Sequence, residues 1–427
     1  MSARESVTGI LDRLAAPGFL RRIFQRPGAR FAVLSIRNFR LFVTGQVISV
    51  TGTWMMVAAQ DWLVLEWTNN SAFALAVITV CQFSPALLVP FGVGSLADRF
   101  PKRTLLICVN TGAAALTAAQ AILVLADRAQ VWQLWAFALG LGVLNAVEAP
   151  TRMSFVGELV GDSAFRAASA LSAMYFSVAQ LLGPALAGVL ITLAGPGVAL
   201  AINAASYPAT IAGLVMMRPA EIVARRNGGQ RLDMSRGLRR ISADPNLTRA
   251  VVLLAAVGFF ALNLRVIAPL LAKAEFGVAP ATFGLVTAAL AGGSLFAALF
   301  VGGRDTPTLH AALGFAAVLG GAEAVLGRAT HLGVATALLV VCGAGMTSFL
   351  QSTNHHLQLS SAPDDRTHVI AVYTTIVQGV TPLAALAVAF FAERMGVRTV
   401  LSIGGVAAVC VAGAIYAERW RTRRARG

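Results

Sequence analysis

Charged side chains are scarce in this 427-residue chain, where Asp, Glu, Lys and Arg together make up 12% of the residues. An ordinary soluble domain carries about twice that share. Acidic residues are scarcer than basic ones, with 19 Asp and Glu against 34 Lys and Arg. So few charges cannot cover the surface of a water-soluble protein of this length, and the composition excludes that class.

Cysteines and the motifs of soluble enzymes are also sparse. The chain has four cysteines, all within apolar runs, and no CxxC or His-rich cluster accompanies them, which predicts neither a disulfide nor a metal site. The phosphate-binding, nucleophile-elbow and zinc-protease motifs (G-x-x-x-x-G-K-[ST], G-x-S-x-G and H-E-x-x-H) do not occur. We therefore expect a protein that is not an enzyme, has no cofactor and does not use ATP directly.

Long apolar runs fill the chain instead, and its mean hydropathy is +0.73. Runs of about 20 mainly apolar residues recur, each long enough to cross a bilayer as a helix. The short alternating segments of a membrane β-barrel are absent. The pattern predicts an all-α polytopic membrane protein with twelve transmembrane helices near 41–66, 73–93, 104–126, 131–151, 167–194, 197–217, 249–272, 281–301, 309–327, 333–356, 369–392 and 397–417.

The basic residues are unevenly divided between the two sides that these helices define. Most of the 34 Lys and Arg fall in the N-terminal segment, the C-terminal tail and alternate loops. By the positive-inside rule, this asymmetry predicts that both termini are cytoplasmic. The preference for Arg and the abundance of Ala and Gly point to a bacterial cytoplasmic membrane. The basic patches are then expected to contact anionic lipid headgroups rather than nucleic acid.

The chain divides into two halves at a polar, basic interval. We predict a basic N-terminal segment (1–40), a six-helix bundle (41–217), a linker (218–248), a second six-helix bundle (249–417) and a basic tail (418–427). The shift that places Tyr175 on Tyr373 also places Gln180 on Gln378 and Pro184 on Pro382. Parallel repeats of this kind are typical of transporters with a site between the halves, near the middle of the membrane.

A charged turn separates the second and third predicted helices. It is either a generic cytoplasmic loop or a conformational latch. The turn resembles the loop 2–3 signature G-x-L-A-D-R-x-G-R-R of the major facilitator superfamily, although Pro101 stands where glycine is usual. The latch residues that this resemblance implies are Gly94, Asp98, Arg99, Lys102 and Arg103.

Two further stretches resemble one branch of that superfamily. Gly183, Pro184 and Gly188 lie in a run similar to the antiporter element G-P-x-x-G-G. The runs 59–65 and 157–160 are similar to the drug:proton antiporters called transmembrane secretion effectors. The resemblance implies two pseudo-symmetric six-helix bundles and a monomeric secondary transporter that exports small amphipathic compounds by proton antiport and alternating access. The alternatives are a dedicated exporter of one siderophore or natural product, and a non-transporting receptor on the same scaffold.

Ionisable residues inside predicted spans are candidates for function, because the bilayer makes them costly. Asp61 and Glu323 are candidates for proton coupling, although Asp61 could instead lie near the outer interface. Arg265 could face a cavity and bind an anionic group or Asp61, or it could extend its guanidinium outward to the interface.

Glu148 and Arg152 are spaced for an intrahelical ion pair, which we place at the cytoplasmic gate. Many proton-linked exporters of the superfamily carry an arginine midway along helix four. The predicted span 131–151 contains no basic residue, and Arg152 follows its end. Polar side chains that could line a cavity or contact substrate are Gln46, Gln180, Asn263, Asn354, His355, Tyr373 and Gln378.

Overall fold

The computed structural model describes residues 32–91, 100–222, 234–300 and 309–424, and these are almost entirely helical. Ten helical stretches in those ranges are long and apolar enough to cross a membrane. One of them, Val131–Ala194, is 64 residues long. It divides at Gly161, whose φ of 69° and ψ of 177° belong to a backbone region that essentially only glycine occupies.

The first half of the fold contains six helices. They are α1 (Arg37–Trp67), α2 (Ala72–Phe83, continued by the 3-10 turns Ser84–Phe91), α3 (Lys102–Leu125), α4 (131–160), α5 (162–194) and α6 (Pro196–Val215).

The second half also contains six helices, preceded by a short linker helix, Met234–Ala243. They are α7 (Pro245–Glu275, interrupted near Asn263), α8 (Pro280–Phe300), α9 (Leu309–Leu326), α10 (Leu332–Leu359), α11 (Pro363–Met395) and α12 (Val397–Arg424). The fold class expected from the apolar runs is confirmed.

Several helices are longer than their apolar cores. The predicted end of helix four at residue 151 is wrong, because α4 continues for another nine residues to the break at Gly161. Similarly, α11 begins at Pro363 rather than at 369. Polar turns that leave the hydrocarbon can remain helical, so hydropathy alone underestimates helix length.

Small residues allow close packing of the helices within each half. A Cβ on Gly45 of α1 would lie 2.7 Å from the Cα of Thr210 in α6. In the second half, a Cβ on Gly293 of α8 would lie 1.9 Å from the carbonyl oxygen of Val340 in α10. Such backbone approach is how membrane helices gain packing energy where hydrophobicity alone gives them none.

The molecule has two ends, which we call the terminal face and the opposite face. The terminal face holds the start of α1, the end of α6, the linker helix and the end of α12. The opposite face holds the end of α1, the start of α2 and the junctions between α5 and α6 and between α7 and α8. On the terminal face the linker helix packs on α11, where Arg236 Nε donates to Asp365 Oδ1 at 2.8 Å.

Candidate functional site

A cavity of about 350 Å³ lies among the helices of the first half and is completed by one residue of the second, Arg265 of α7. Its wall combines aromatic rings, side-chain amides and a few ionisable groups. The residues of the wall that matter below are Gln46, Trp54, Gln60, Gln82, Phe83, Asn110, Asn145, Glu148, Arg152, Phe176, Gln180, Tyr207 and Arg265.

Arg265 faces this cavity rather than the membrane interface. Its guanidinium carbon lies 4.3 Å from the centre of the Trp54 ring and 4.6 Å from that of Phe83. Trp54 belongs to α1 and Phe83 to α2, so an arginine of the second half is held by two rings of the first. The turn at Asn263, whose side chain donates to the carbonyl of Phe259 at 2.6 Å, places Arg265 just after the interruption of α7.

Asp61 of α1 is buried, with 9% of its surface exposed, and it interacts electrostatically with Arg265. It is not among the residues that line the cavity. Asp61 lies six residues before the end of α1 at the opposite face, within electrostatic range of the cavity arginine.

A chain of amides connects three helices beside these charges. Gln82 Nε2 donates to Gln60 Oε1 at 2.9 Å, and Gln60 Nε2 donates to Gln120 Oε1 at 2.9 Å. Gln60 and Gln120 are fully buried. Because the cost of leaving such amides unpaired is high, the chain fixes α1, α2 and α3 in register around the cavity.

Glu148 and Arg152 form the expected pair, with Arg152 Nε 3.1 Å from Glu148 Oε1. Both line the cavity. Because α4 continues to residue 160, Arg152 lies within the helix rather than after its end, which corrects the expectation that helix four contains no basic residue.

Two polar contacts between the halves lie toward the opposite face. Lys273 of α7 pairs with Glu66 of α1, and its Nζ lies 3.4 Å from the centre of the Trp62 ring. Glu393 of α11 accepts hydrogen bonds from Ser71 Oγ at 2.9 Å and from the Phe73 backbone N–H at 3.1 Å, at the start of α2.

The run containing Gly183, Pro184 and Gly188 packs against two neighbours. A Cβ on Gly183 would lie 2.4 Å from the Cβ of Trp54 in α1. Gly188 meets α8 at Gly284, where an added Cβ would lie 2.3 Å from the carbonyl oxygen of Pro184. The α5–α8 contact thus brings two backbones together near the opposite face.

The structure describes only part of the predicted latch. Gly94, Asp98 and Arg99 lie outside the described residues. Lys102 forms a buried ion pair with Glu158 at the end of α4, a partner that the sequence analysis did not identify. Arg103 donates to the carbonyls of Leu214 at 2.7 Å and Val215 at 2.9 Å.

The remaining candidates lie away from the cavity wall. Glu323 is buried at the contact of α9 with α12, close to Gly405. Tyr373 donates to the carbonyl of Leu350 at 3.1 Å, and Asn354 accepts from Gln358 at 2.5 Å. Asn263, His355 and Gln378 are also not among the residues that line the cavity, whereas Gln46 and Gln180 are.

Sequence reasoning missed the two rings that hold Arg265. Trp54 and Phe83 lie in uniformly apolar runs, where lipid-facing and cavity-facing positions have the same composition.

Solved structures with the same arrangement of helices are transporters. A bacterial homologue of the human lysosomal transporter Spinster, inward-facing and unoccupied, gives a TM-score of 0.67 at 14% identity over 91% of this chain and 96% of that one. An inward-facing bacterial homologue of the iron transporter ferroportin gives a TM-score of 0.66 at 14% identity, over 90% of this chain and 98% of that one. The fold is the one these transporters share, and the family model that matches the chain is one of the major facilitator superfamily.

A family model assigns the chain to one family within this class of transporters. The model described as transmembrane secretion effector matches residues 28–425, and the chain belongs to that family. The staphyloferrin A transporter of Staphylococcus aureus is 24% identical over 155 residues, which are 36% of this chain and 39% of the relative. The MFS-type transporter YfiS of Bacillus subtilis is 23% identical over 171 residues, 40% of each chain. Both alignments therefore cover well under half of the relatives.

Proposed function

We propose that this transporter exports small amphipathic compounds, as a monomer in the bacterial cytoplasmic membrane, by alternating access and in exchange for protons. The observation that carries the proposal is the cavity, in which aromatic rings and amides surround Arg265, an arginine that interacts with a buried acid. Apolar and aromatic walls with a few polar groups suit amphipathic ligands of moderate size.

The positions of the two faces support the proposed direction of transport, which is export. The positive-inside rule favours a cytoplasmic terminal face. The contacts of Lys273 and Glu393 between the halves then lie at the outer side, and closure on that side supports a cavity that loads from the cytoplasm, as an exporter requires.

Asp61 is the acid that we propose for proton exchange, because it is buried and interacts with the cavity arginine. In proteoliposomes, an imposed pH gradient should drive flux of an amphipathic dye, and Asp61→Asn should abolish the driven flux. Glu221→Gln is the matched control, since Glu221 is exposed and pairs only with Arg218 in the described chain. Driven flux that persists in Asp61→Asn would exclude this acid, and saturable binding without flux would favour a receptor.

A dedicated siderophore exporter is the second candidate, favoured by the similarity to the staphyloferrin A transporter. A panel of purified siderophores in the same flux assay separates the two. Transport of one siderophore together with no transport of unrelated amphipathic dyes would support this candidate over the first.

A further inference from the structure

One face of α11 is shared between the linker helix and the first half of the molecule. Its residues are three or four positions apart and therefore lie on one side of the helix. They are His368, Val372, Thr375 and Gly379. At Gly379 this face meets α2, since an added Cβ would lie 3.4 Å from Leu87 Cδ2. From there α2 runs beside α11 to the contacts of Glu393 at the opposite face.

The linker helix covers the rest of this face, toward the terminal face of the molecule. A Cβ on Gly237 would lie 2.5 Å from the carbonyl oxygen of His368, so the backbones of the two helices touch. Thr375 Oγ1 donates to Met234 Sδ at 3.9 Å. Thr375 is one helical turn from Gly379. The contact with the linker helix therefore begins on α11 where the contact with α2 ends.

Polar attachments hold the linker helix at both of its neighbours. Asp365 of α11 accepts from Arg236 Nε at 2.8 Å, and Arg240 Nε lies 3.8 Å from its other oxygen. The Arg236 side chain is about half exposed, and ion pairs in such positions contribute little stability. Thr248 of α7 donates to the carbonyl of Ile241 at 2.7 Å. The ion pairs to α11 can thus be lost at little cost while the end of the linker helix stays bonded to α7.

The width of a helix makes the two contacts on α11 mutually exclusive. Closing the cavity at the terminal face brings the halves together there, and α2 and α11 are the helices that already meet farther along. Packed helices lie about 8–10 Å apart, and a helix with its side chains is itself about 10 Å wide. While the linker helix lies on α11, α2 cannot pack against that part of it.

We propose that the linker helix is a wedge that holds the terminal face open, and that it must leave α11 before the terminal face can close. The inference rests on the proposed alternating access, but not on the exported compound or on the coupling ion. Contacts that exist in only one of two states stabilise that state. Weakening the contacts between the linker helix and α11 should therefore favour the state closed at the terminal face.

One acid of α11 gives the first test. Spin labels at Ser163 and Leu359, exposed residues at the α4–α5 junction and the end of α10, measure the distance across the terminal face. Asp365→Asn removes the partner of both arginines and should raise the ratio of closed to open molecules about twofold to fivefold. Asp364→Asn is the matched control, since Asp364 is in the same first turn but is exposed, with no ion pair in the described chain.

Replacing the whole linker helix gives the second test. A glycine–serine segment of the same length keeps the halves connected but leaves nothing to occupy α11. The distances across the terminal face should then shorten in a larger fraction of molecules than in Asp365→Asn. Distances across the opposite face should lengthen at the same time, because a local collapse at the terminal face would leave them unchanged.

The outcomes are distinct from those of the export assay. Equal ratios in Asp364→Asn and Asp365→Asn, or terminal-face distances that do not shorten when the linker helix is replaced, would overturn the wedge. The single substitutions decide the question alone if the replaced chain does not fold. If the distances change as expected but a pH gradient drives no flux, the wedge stands and proton-driven export fails.

Discussion

Lys102 and Glu158 form a buried ion pair between the start of α3 and the end of α4, and each exposes only about a tenth of its side chain. The pair therefore ties the start of α3 to the end of α4. Removing one partner leaves the other charge buried without compensation, which typically costs about 3–5 kcal/mol.

Lys102→Met should therefore lower the unfolding free energy in detergent by about 3–5 kcal/mol, because Glu158 loses its partner. The double variant Lys102→Met/Glu158→Leu should regain most of that loss, since it buries no lone charge. Arg218→Met, which breaks an exposed pair, is the control and should cost less than about 1 kcal/mol. A double variant as unstable as the single one would contradict this account.

Glu323 is the second buried acid, with 1% of its surface exposed and neither carboxyl oxygen hydrogen-bonded within the described chain. Because a lone charge is costly there, Glu323→Gln should unfold at an equal or higher temperature than the wild type. Since Glu323 lies at the contact of α9 with α12, within the second half and apart from the cavity charges, we also expect driven transport to persist. Loss of driven flux in a stably folded Glu323→Gln protein would instead make this acid a proton carrier.

At the scale of helices, the contact of α5 with α8 depends on glycine. A Cβ on Gly284 would lie 2.3 Å from the carbonyl oxygen of Pro184, whereas one on Gly314 of α9 would meet no heavy atom within 4 Å. Gly284→Ala should push α5 and α8 apart and reduce the population of the state closed at the opposite face. Spin-label distances across that face measure the shift, and Gly314→Ala is the matched control that should leave them unchanged.

The helices themselves were predictable from the sequence, because a run of about 20 apolar residues has few other stable structures in a bilayer. Which side of each helix faces the cavity, a neighbouring helix or lipid was not predictable. Positions that contact lipid and positions that contact other helices are equally apolar, so nothing marked Trp54 or Phe83 as cavity residues. The buried polar residues were more informative: Asp61 and Arg265 were recognised because the membrane makes charge expensive.

Across the whole molecule, charged contacts add to helix packing where the two halves meet at the opposite face. Lys273 links α7 to Glu66 and the Trp62 ring of α1, and Glu393 links α11 to the start of α2. The second link uses the positive end of a helix, where a carboxylate is favoured. These contacts stabilise the closed side and must break when the cavity opens there.

Lys273→Met should shift the population toward the state open at the opposite face, because it removes an ion pair and a cation–π contact between the halves. The same spin-label distances should lengthen, and Lys273→Met/Glu393→Gln should lengthen them further. Arg398→Met breaks an ion pair on the same face but within the second half, to Glu275, and should leave the distances unchanged. Equal shifts in both single variants would mean that the face responds to general destabilisation.

The backbone contact between Gly188 and Gly284 also bears on how quickly the transporter can turn over. Interlocked side chains would have to separate before one half could rotate against the other. At Gly188 and Gly284 no side chain stands between the two backbones, so the helices can rotate there without such a separation. The charged groups at the rim then add to the resistance that helix packing between the halves gives to rocking. A transporter built this way can change its turnover rate through single substitutions at that rim, with its framework left intact.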